Sequence, residues 1–123
     1  MPAYNNATPP LALFPGDVGF SFNAETFPAD GTAGSQFAIP EPAGFPDQGH
    51  TVRWQTIFGS NPSAINIRLQ GAMADVDAEY TDVDTSTATA GEARTAVGVR
   101  ARFLRVKKIT STGGTGLTGK ILP

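Results

Sequence analysis

Hydrophobic and polar residues alternate along two stretches in the middle of the chain, 51–58 and 64–70. A period of two is typical of a half-buried β-strand. Residues 59–63, Gly-Ser-Asn-Pro-Ser, have the composition of a turn. The two strands and this turn predict a β-hairpin. The side chains predicted to face the core are those of Val52, Trp54, Phe58, Ile65, Ile67 and Leu69.

Weaker alternation predicts further short strands at 18–22, 36–39, 79–84, 93–97 and 117–122. Residues 99–107 also alternate, but the phase slips by one residue between Phe103 and Leu104, which predicts a β-bulge or a strand with both faces covered. Phe103 is assigned to the core. About six to eight short strands at this spacing predict an all-β fold, an antiparallel, jelly-roll-like β-sandwich.

The first 49 residues differ in composition from the rest, because they hold eight of the ten prolines and six of the eight phenylalanines. Phe-Pro occurs three times, at Phe14, Phe27 and Phe45. Proline favours an extended conformation in the residue before it, and the Gly or Asp that follows favours a bend. The three units are either ordinary turns with buried Phe or anchors of an arm that binds a body or a neighbour. We predict an extended N-terminal arm with short strands (1–49), a β-sandwich body (50–123), and Phe14, Phe27 and Phe45 as partner-binding residues.

Charge is also divided along the chain. The first 49 residues contain five acids and no Lys or Arg, and the remainder contains nine basic and six acidic residues. Within the second part, six acids fall in 75–92 and six bases in 94–108. These runs either pair across neighbouring strands or leave a basic surface for a partner. The residues predicted for that charged surface are Arg100, Arg102, Arg105 and Lys107.

Composition removes several kinds of chemistry. The chain of 123 residues is the size of one domain, and its lack of cysteine excludes disulfides, thiolate zinc sites and cysteine nucleophiles. His50 is the single histidine, so it cannot build a multi-histidine metal site. With a net charge of −2 and a pI near 5.2, the whole chain is not expected to bind nucleic acid.

The acidic run offers the best material for a catalytic or metal site. Asp75, Asp77 and Glu79 alternate as in an EF-hand loop, but Tyr80 stands where that loop needs Gly and Ser86 where it needs Glu. A calcium ion in an irregular loop is left open. Two carboxylates could hydrolyse a glycoside, yet no apolar neighbours mark one of them for a raised pKa. We therefore predict a non-enzymatic protein with no cofactor and no catalytic residues.

The chain also lacks recognisable targeting features. Its first thirteen residues have no basic segment, and its longest apolar runs are shorter than a membrane span. A soluble, unprocessed protein from a reducing compartment, without membrane contact, is the expectation.

Three stretches of the second part resemble a small β-sandwich module of tailed-bacteriophage virion proteins. They are 65–71, ending in Gln-Gly, 82–95, which contains Asp-Thr-Ser, and 99–106, which contains Ala-Arg-Phe-Leu-Arg-Val. The last stretch is also similar to the closing strand of discoidin-like, galactose-binding-type sandwiches. Residues 72–75, Ala-Met-Ala-Asp, replace the Ser-x-Asp-Gly turn of that pattern, and no Trp follows.

The resemblance implies a structural protein of a phage particle, either a capsid decoration (cement) protein or a small tail or head-fibre component. The alternative is a carbohydrate-binding or host-adsorption module of a phage tail or fibre. Expected partners are a second copy of the chain, with a trimer as the first expectation, and the major capsid or another virion protein. The expected location is the virion, assembled in the host cytoplasm.

Overall fold

A computed structural model describes residues 11–14, 17–23, 29–39, 50–74 and 76–123. Within these ranges the chain forms ten β-strands and one short 3₁₀ helix, Asp77–Glu79. The strands are β1 (Leu11–Ala12), β2 (Gly19–Asn23), β3 (Thr32–Ala33), β4 (Phe37–Ala38), β5 (His50–Ser60), β6 (Ala64–Ala72), β7 (Thr81–Ser86), β8 (Glu92–Val99), β9 (Phe103–Thr112) and β10 (Thr115–Leu122).

The strands form two sheets that pack face to face. The larger sheet has the order β1-β4-β9-β6-β7, with β3 also paired to β9, and the smaller sheet has the order β2-β10-β5-β8. All pairs are antiparallel except β1 with β4. The predicted all-β sandwich of two antiparallel sheets is therefore confirmed.

The predicted hairpin between β5 and β6 is wrong, although both strands exist. β5 pairs with β10 and β8 in the smaller sheet, and β6 pairs with β9 and β7 in the larger one. The turn between them crosses from one sheet to the other. Each strand has one apolar face, and the crossing brings these faces together inside the sandwich, where both are removed from water.

The single strand predicted over 99–107 is also wrong. β8 ends at Val99 and β9 begins at Phe103, so residues 100–102 cross between the sheets. The slip in hydrophobic phase marks this crossing. In β9 the fully buried positions are Leu104 and Val106, whereas Phe103, predicted in the core, is only half-buried.

The core confirms the other burial predictions, except that Phe58 is half-buried at its margin. Residues before position 40 contribute to the same core, because their strands complete both sheets. The buried hydrophobic residues of the cluster are Leu13, Phe22, Phe37, Ile39, Val52, Trp54, Ile65, Ile67, Leu69, Ala96, Val99, Leu104, Val106, Leu117 and Ile121.

A buried serine fastens the N-terminal strands to the rest of the sandwich. Ser21 of β2 accepts a 2.9 Å hydrogen bond from the backbone N–H of Val106 in β9. Its hydroxyl donates a 2.9 Å bond to the carbonyl of Ser35. The division of the chain at residue 49 stays a prediction.

Candidate interaction surfaces

The outward face of the larger sheet carries a connected set of polar side chains. The pairing register places Gln70 of β6 between Arg105 of β9 and Asp82 of β7. Arg105 Nε donates to Gln70 Oε1 over 3.0 Å, and Gln70 Nε2 donates to Asp82 Oδ1 over 3.1 Å. Arg68 forms an ion pair with the same Asp82. These charges are therefore satisfied within the subunit.

Arg105 is buried although it lies on this outward face. Its Nη1 donates a 2.5 Å hydrogen bond to Asp77, and its guanidinium carbon lies 4.0 Å from the ring centroid of Tyr80. The segment that contains the 3₁₀ helix thus covers the outer side of β9. The hydrogen bond and charge of Arg105 lower the pKa of Asp77 below its ordinary value. Asp82 also has a lowered pKa, chiefly through the hydrogen bond from Gln70.

Asp84 connects the edge strands of the two sheets. Its Oδ2 accepts hydrogen bonds from Trp54 Nε1 (2.9 Å) and Arg94 Nε (2.8 Å), and its Oδ1 accepts from Arg94 Nη2 (3.1 Å) and the Thr85 N–H (2.9 Å). Burial acts to raise the pKa of Asp84, but these hydrogen bonds outweigh it and hold the pKa below its ordinary value. The acidic and basic runs do pair, here and at Asp77 with Arg105. Neither pair joins neighbouring strands of one sheet as predicted, because β7 and β8 belong to different sheets and Asp77 lies in the 3₁₀ helix.

A buried lysine of β9 holds the turn that precedes β3. Lys108 of β9 is buried, and its Nζ lies 2.7 Å from Oδ1 of the exposed Asp30. The hydrogen bond from Lys108 lowers the pKa of Asp30. This contact holds the turn before β3 against β9, where Gly31 N–H also donates to the Lys108 carbonyl over 2.8 Å.

Of the three predicted arm anchors, the structure describes Phe14. Phe14 is 56% exposed, in a turn closed by a hydrogen bond from the Asp17 N–H to the Phe14 carbonyl (2.9 Å). Phe27 and Phe45 lie outside the described residues. Phe14 is accordingly accessible to a partner.

The four predicted basic residues do not form one charged strand. Arg100 and Arg102 are exposed in the crossing before β9, while Arg105 and Lys107 lie within β9. Arg105 is buried and Lys107 is half-buried. Of the four, Arg100 and Arg102 present the most accessible charge.

The outward face of the smaller sheet differs from that of the larger sheet. Phe20 of β2 lies opposite Lys120 of β10, whose Nζ is 5.5 Å from the Phe20 ring centroid. Ile57 and Arg53 of β5 are exposed on the same face. The four strands contain one acid, Glu92, which is bonded to Arg94 and Ser86 at the sandwich edge. This outer face is apolar and cationic, and we name it the basic-apolar face.

A groove of about 650 Å³ opens at one end of the sandwich. It lies beyond the Asp84–Arg94 contact, between the start of β7, the end of β8 and the crossing at 100–101. Its floor and walls are mainly small or apolar side chains, with Glu79 and Arg100 as charged members. Lining residues include Gly71, Met73, Val83, Val97, Val99 and Arg100.

Sequence reasoning missed the role of Asp84 and the groove. Trp54 was assigned to the core correctly, and a buried indole N–H requires an acceptor, which is a signal that a polar partner lies nearby. Nothing in the local pattern says that this partner stands 30 positions further along the chain. The groove depends on where the ends of β6, β7 and β8 lie relative to one another, which the alternation pattern does not encode.

Two classes of feature are absent from the part of the chain that the structure describes. No three His, Asp or Glu side chains come together there in a group able to hold a metal ion. None of its helices is long and apolar enough to cross a membrane.

Comparison with known proteins gives a likeness in fold. No family model matches the sequence, and no curated protein matches it. The structure is similar to the crystal structure of the SPBc2 prophage-derived protein YomS, with a TM-score of 0.50 and 10% sequence identity. The match covers 85% of this chain and 92% of that one. At this identity the likeness shows a shared β-sandwich fold.

Proposed function

We propose that this chain is a non-enzymatic structural protein of a bacteriophage particle. Two lines of evidence support a phage setting. The sequence resembles a β-sandwich module of phage virion proteins, and a prophage-derived protein shares the fold over most of its length. Within a particle, we propose the role of a capsid decoration protein that stabilises the shell through protein–protein contacts.

The observation that carries this proposal is the basic-apolar face. Phe20, Ile57 and Val18 are exposed large hydrophobic residues, and the first two lie on that face with Arg53 and Lys120. On the larger sheet, by contrast, Arg68 and Arg105 are paired with Asp82 and Asp77 within the subunit. Among the residues that the structure describes, Arg53 and Lys120 form no ion pair. Such a cationic and apolar sheet face is the kind of surface that a protein partner with acidic and apolar groups would cover.

Magnitudes favour apolar burial as the main source of attachment. Burying a fully exposed Phe or Ile side chain contributes about 1.5–3 kcal/mol, and Phe20 and Ile57 are 42% and 39% exposed, so covering them contributes about 0.6–1.2 kcal/mol each, which salt does not screen. An exposed ion pair contributes about 0–1 kcal/mol and is screened by salt. Phe20 and Ile57 should therefore outweigh Arg53 and Lys120 in affinity, while the cations orient the partner.

The proposal is tested on particles of the phage or prophage that encodes the chain. Mass spectrometry of purified particles should find the chain in many copies, and electron microscopy should place it on the shell. Particles that assemble without the chain should bind the purified protein. Absence from particles, or binding to a glycan array without binding to particles, would contradict the decoration role and favour the carbohydrate-binding alternative.

A pair of variants distinguishes binding through the basic-apolar face from nonspecific hydrophobic adsorption. Phe20→Ser with Ile57→Ser should abolish binding to particles, whereas Val76→Ser, at a 50% exposed hydrophobic residue beside the 3₁₀ helix, should leave binding unchanged. Equal loss in both variants would show that the basic-apolar face is not the attachment surface.

A further inference from the structure

The groove at the end of the sandwich is open to a second molecule. Val97 and Met73 are 80% and 76% exposed on its rim, the highest values among the exposed large hydrophobic residues. Its floor is closely packed, because a Cβ placed on Gly71 would lie 2.6 Å from the Ala101 Cβ. The groove is therefore a formed depression with an apolar rim, where an apolar side chain could lose its contact with water.

The turn at Phe14 has the form that such a groove accepts. Phe14 projects into solvent from a turn closed at both ends: Asp17 N–H donates to the Phe14 carbonyl (2.9 Å), and Phe14 N–H donates to Asp17 Oδ2 (3.2 Å). Leu13, immediately before the turn, is buried in the core. The aromatic ring is thus presented from a fixed base, which lowers the conformational entropy lost on docking.

The charges beside the two features are opposite. Asp17 is exposed next to Phe14, and Arg100 is exposed on the rim of the groove. Arg100 forms no ion pair with any residue that the structure describes. Glu79 is also on the rim, so the acidic Asp17 would have to approach from the Arg100 side. This charge arrangement gives the contact a direction.

The turn and the groove are separate surfaces of the subunit. The turn follows β1, the outer strand of the larger sheet, whereas the groove lies between the ends of β6 and β8, the start of β7 and the crossing at 100–101. Phe14 is 56% exposed and is not among the residues that line the groove of its own chain. The groove is therefore open to Phe14 of another copy.

We infer that Phe14 of one copy docks in the groove of a second copy, with Asp17 facing Arg100. Such a contact joins two different surfaces, so it is heterologous: each copy offers one turn and one groove. Repeated with a closing rotation, it produces a ring, as in the expected trimer. The association belongs to the free chain and does not depend on a phage particle, so it can succeed or fail separately from the proposed function.

Complementary variants test this inference. Phe14→Ser removes the docking side chain, and Val97→Arg places a bulky charge on the groove rim; both positions are exposed, so both variants should fold. Sedimentation velocity should find an oligomer for the parent chain and a monomer for each variant alone. An equimolar mixture should form a 1:1 dimer, because the intact turn of one variant meets the intact groove of the other.

Controls and contrary outcomes are defined by the same measurement. Phe20→Ser, at an exposed phenylalanine on the other sheet, should keep the parent's oligomeric state. Arg100→Glu should weaken self-association by about fivefold, the scale of one exposed ion pair, and Arg53→Glu should not. A monomeric parent, oligomers of either single variant, or a mixture that stays monomeric would overturn the inference.

Discussion

The indole nitrogen of Trp54 donates a 2.9 Å hydrogen bond to Asp84 Oδ2, and this bond joins the two sheets of the sandwich. Trp54 is a core residue of β5 in the smaller sheet, while Asp84 lies on β7, the outer strand of the larger sheet. Arg94 of β8 holds the same carboxylate with two further bonds. One partly buried carboxylate therefore satisfies a buried donor and a cation at once.

Replacing Asp84 with Asn should destabilise the protein by about 1–3 kcal/mol, because Trp54 and Arg94 would lose a charged acceptor. Urea denaturation followed by tryptophan fluorescence gives the free energy of unfolding. Asp82→Asn is the matched control on the same strand, with a more exposed carboxylate, and it should cost less than about 1 kcal/mol. Equal losses for the two variants would contradict the assigned role of Asp84.

Acid should destabilise the fold in a defined pH range. The pKa values of Asp30, Asp77, Asp82 and Asp84 are lowered in the folded chain from the ordinary 3.8. Below about pH 4 the unfolded chain therefore binds more protons than the folded one. The stability that these carboxylates contribute above about pH 4 is lost as the pH falls through their lowered pKa values in the folded chain. Urea titrations at successive pH values measure this slope.

Asp84→Asn provides the control for the acid effect, because it removes one of the four carboxyl groups named for a lowered pKa. Its free energy of unfolding should fall less steeply below about pH 4 than that of the parent chain. A parent stability that does not change across this range would show that the native ion pairs do not lower these pKa values.

Burial in β6 should make its inward and outward positions respond differently to alanine. Ile67 is fully buried, so Ile67→Ala should cost about 2–5 kcal/mol. Asn66, the preceding residue, is half-buried and accepts a 3.3 Å hydrogen bond from Arg68 Nε, so Asn66→Ala should cost less, about 1 kcal/mol. Thermal or urea unfolding measures both. Similar costs would mean that the inward face of this strand is misassigned.

Close packing around Gly34 should make that position intolerant of a side chain. A Cβ there would lie 2.3 Å from Ser21 Oγ and 2.4 Å from the Ser21 carbonyl oxygen. Gly34→Ala should therefore push β2 away from β9 and cost about 1–3 kcal/mol. The Val106 amide donates a hydrogen bond to Ser21 Oγ, and its hydrogen exchange should be faster in the variant. Unchanged stability and exchange would show that these strands are not packed as described.

The strands of the second part could be predicted from the sequence because alternation is a local property. A one-face pattern shows that a strand is half-buried, but it does not say which strand it pairs with. For that reason β5 and β6 were predicted as partners, although each belongs to a different sheet. The slip at Phe103 and Leu104 was a real signal, but a change of sheet gives the same slip as a bulge.

The surfaces were less predictable than the strands. Segregated charges indicated that acids and bases would pair, and Asp77 with Arg105 does so. The burial of Arg105 depends on Gln70 and Tyr80, which approach it through long-range register and a covering segment. Phe14 could be singled out by its Phe-Pro context, whereas the groove arises from the relative positions of the ends of β6, β7 and β8.

The proposed arm anchors make a further prediction about attachment. Replacing Phe14, Phe27 and Phe45 together with Ala should release the protein from the particle or dissociate the oligomer, because three apolar side chains predicted to bind a partner would be removed. Co-sedimentation with particles and sedimentation velocity of the free protein distinguish the two results. A triple variant that stays both bound and oligomeric would contradict the role of these side chains.

The central claim is that the chain attaches to a phage particle through apolar contacts. Its most direct test is co-sedimentation of the chain with particles that lack it, at 0.1 M and 1 M NaCl. The Debye length falls from about 10 Å to about 3 Å over this range, while apolar burial is not screened. We expect the chain to sediment with the particles at both concentrations and the Phe20→Ser, Ile57→Ser variant at neither. The account would be contradicted if the parent chain failed to bind at 0.1 M NaCl or was released at 1 M NaCl. Binding of the double variant at 0.1 M NaCl would also contradict it.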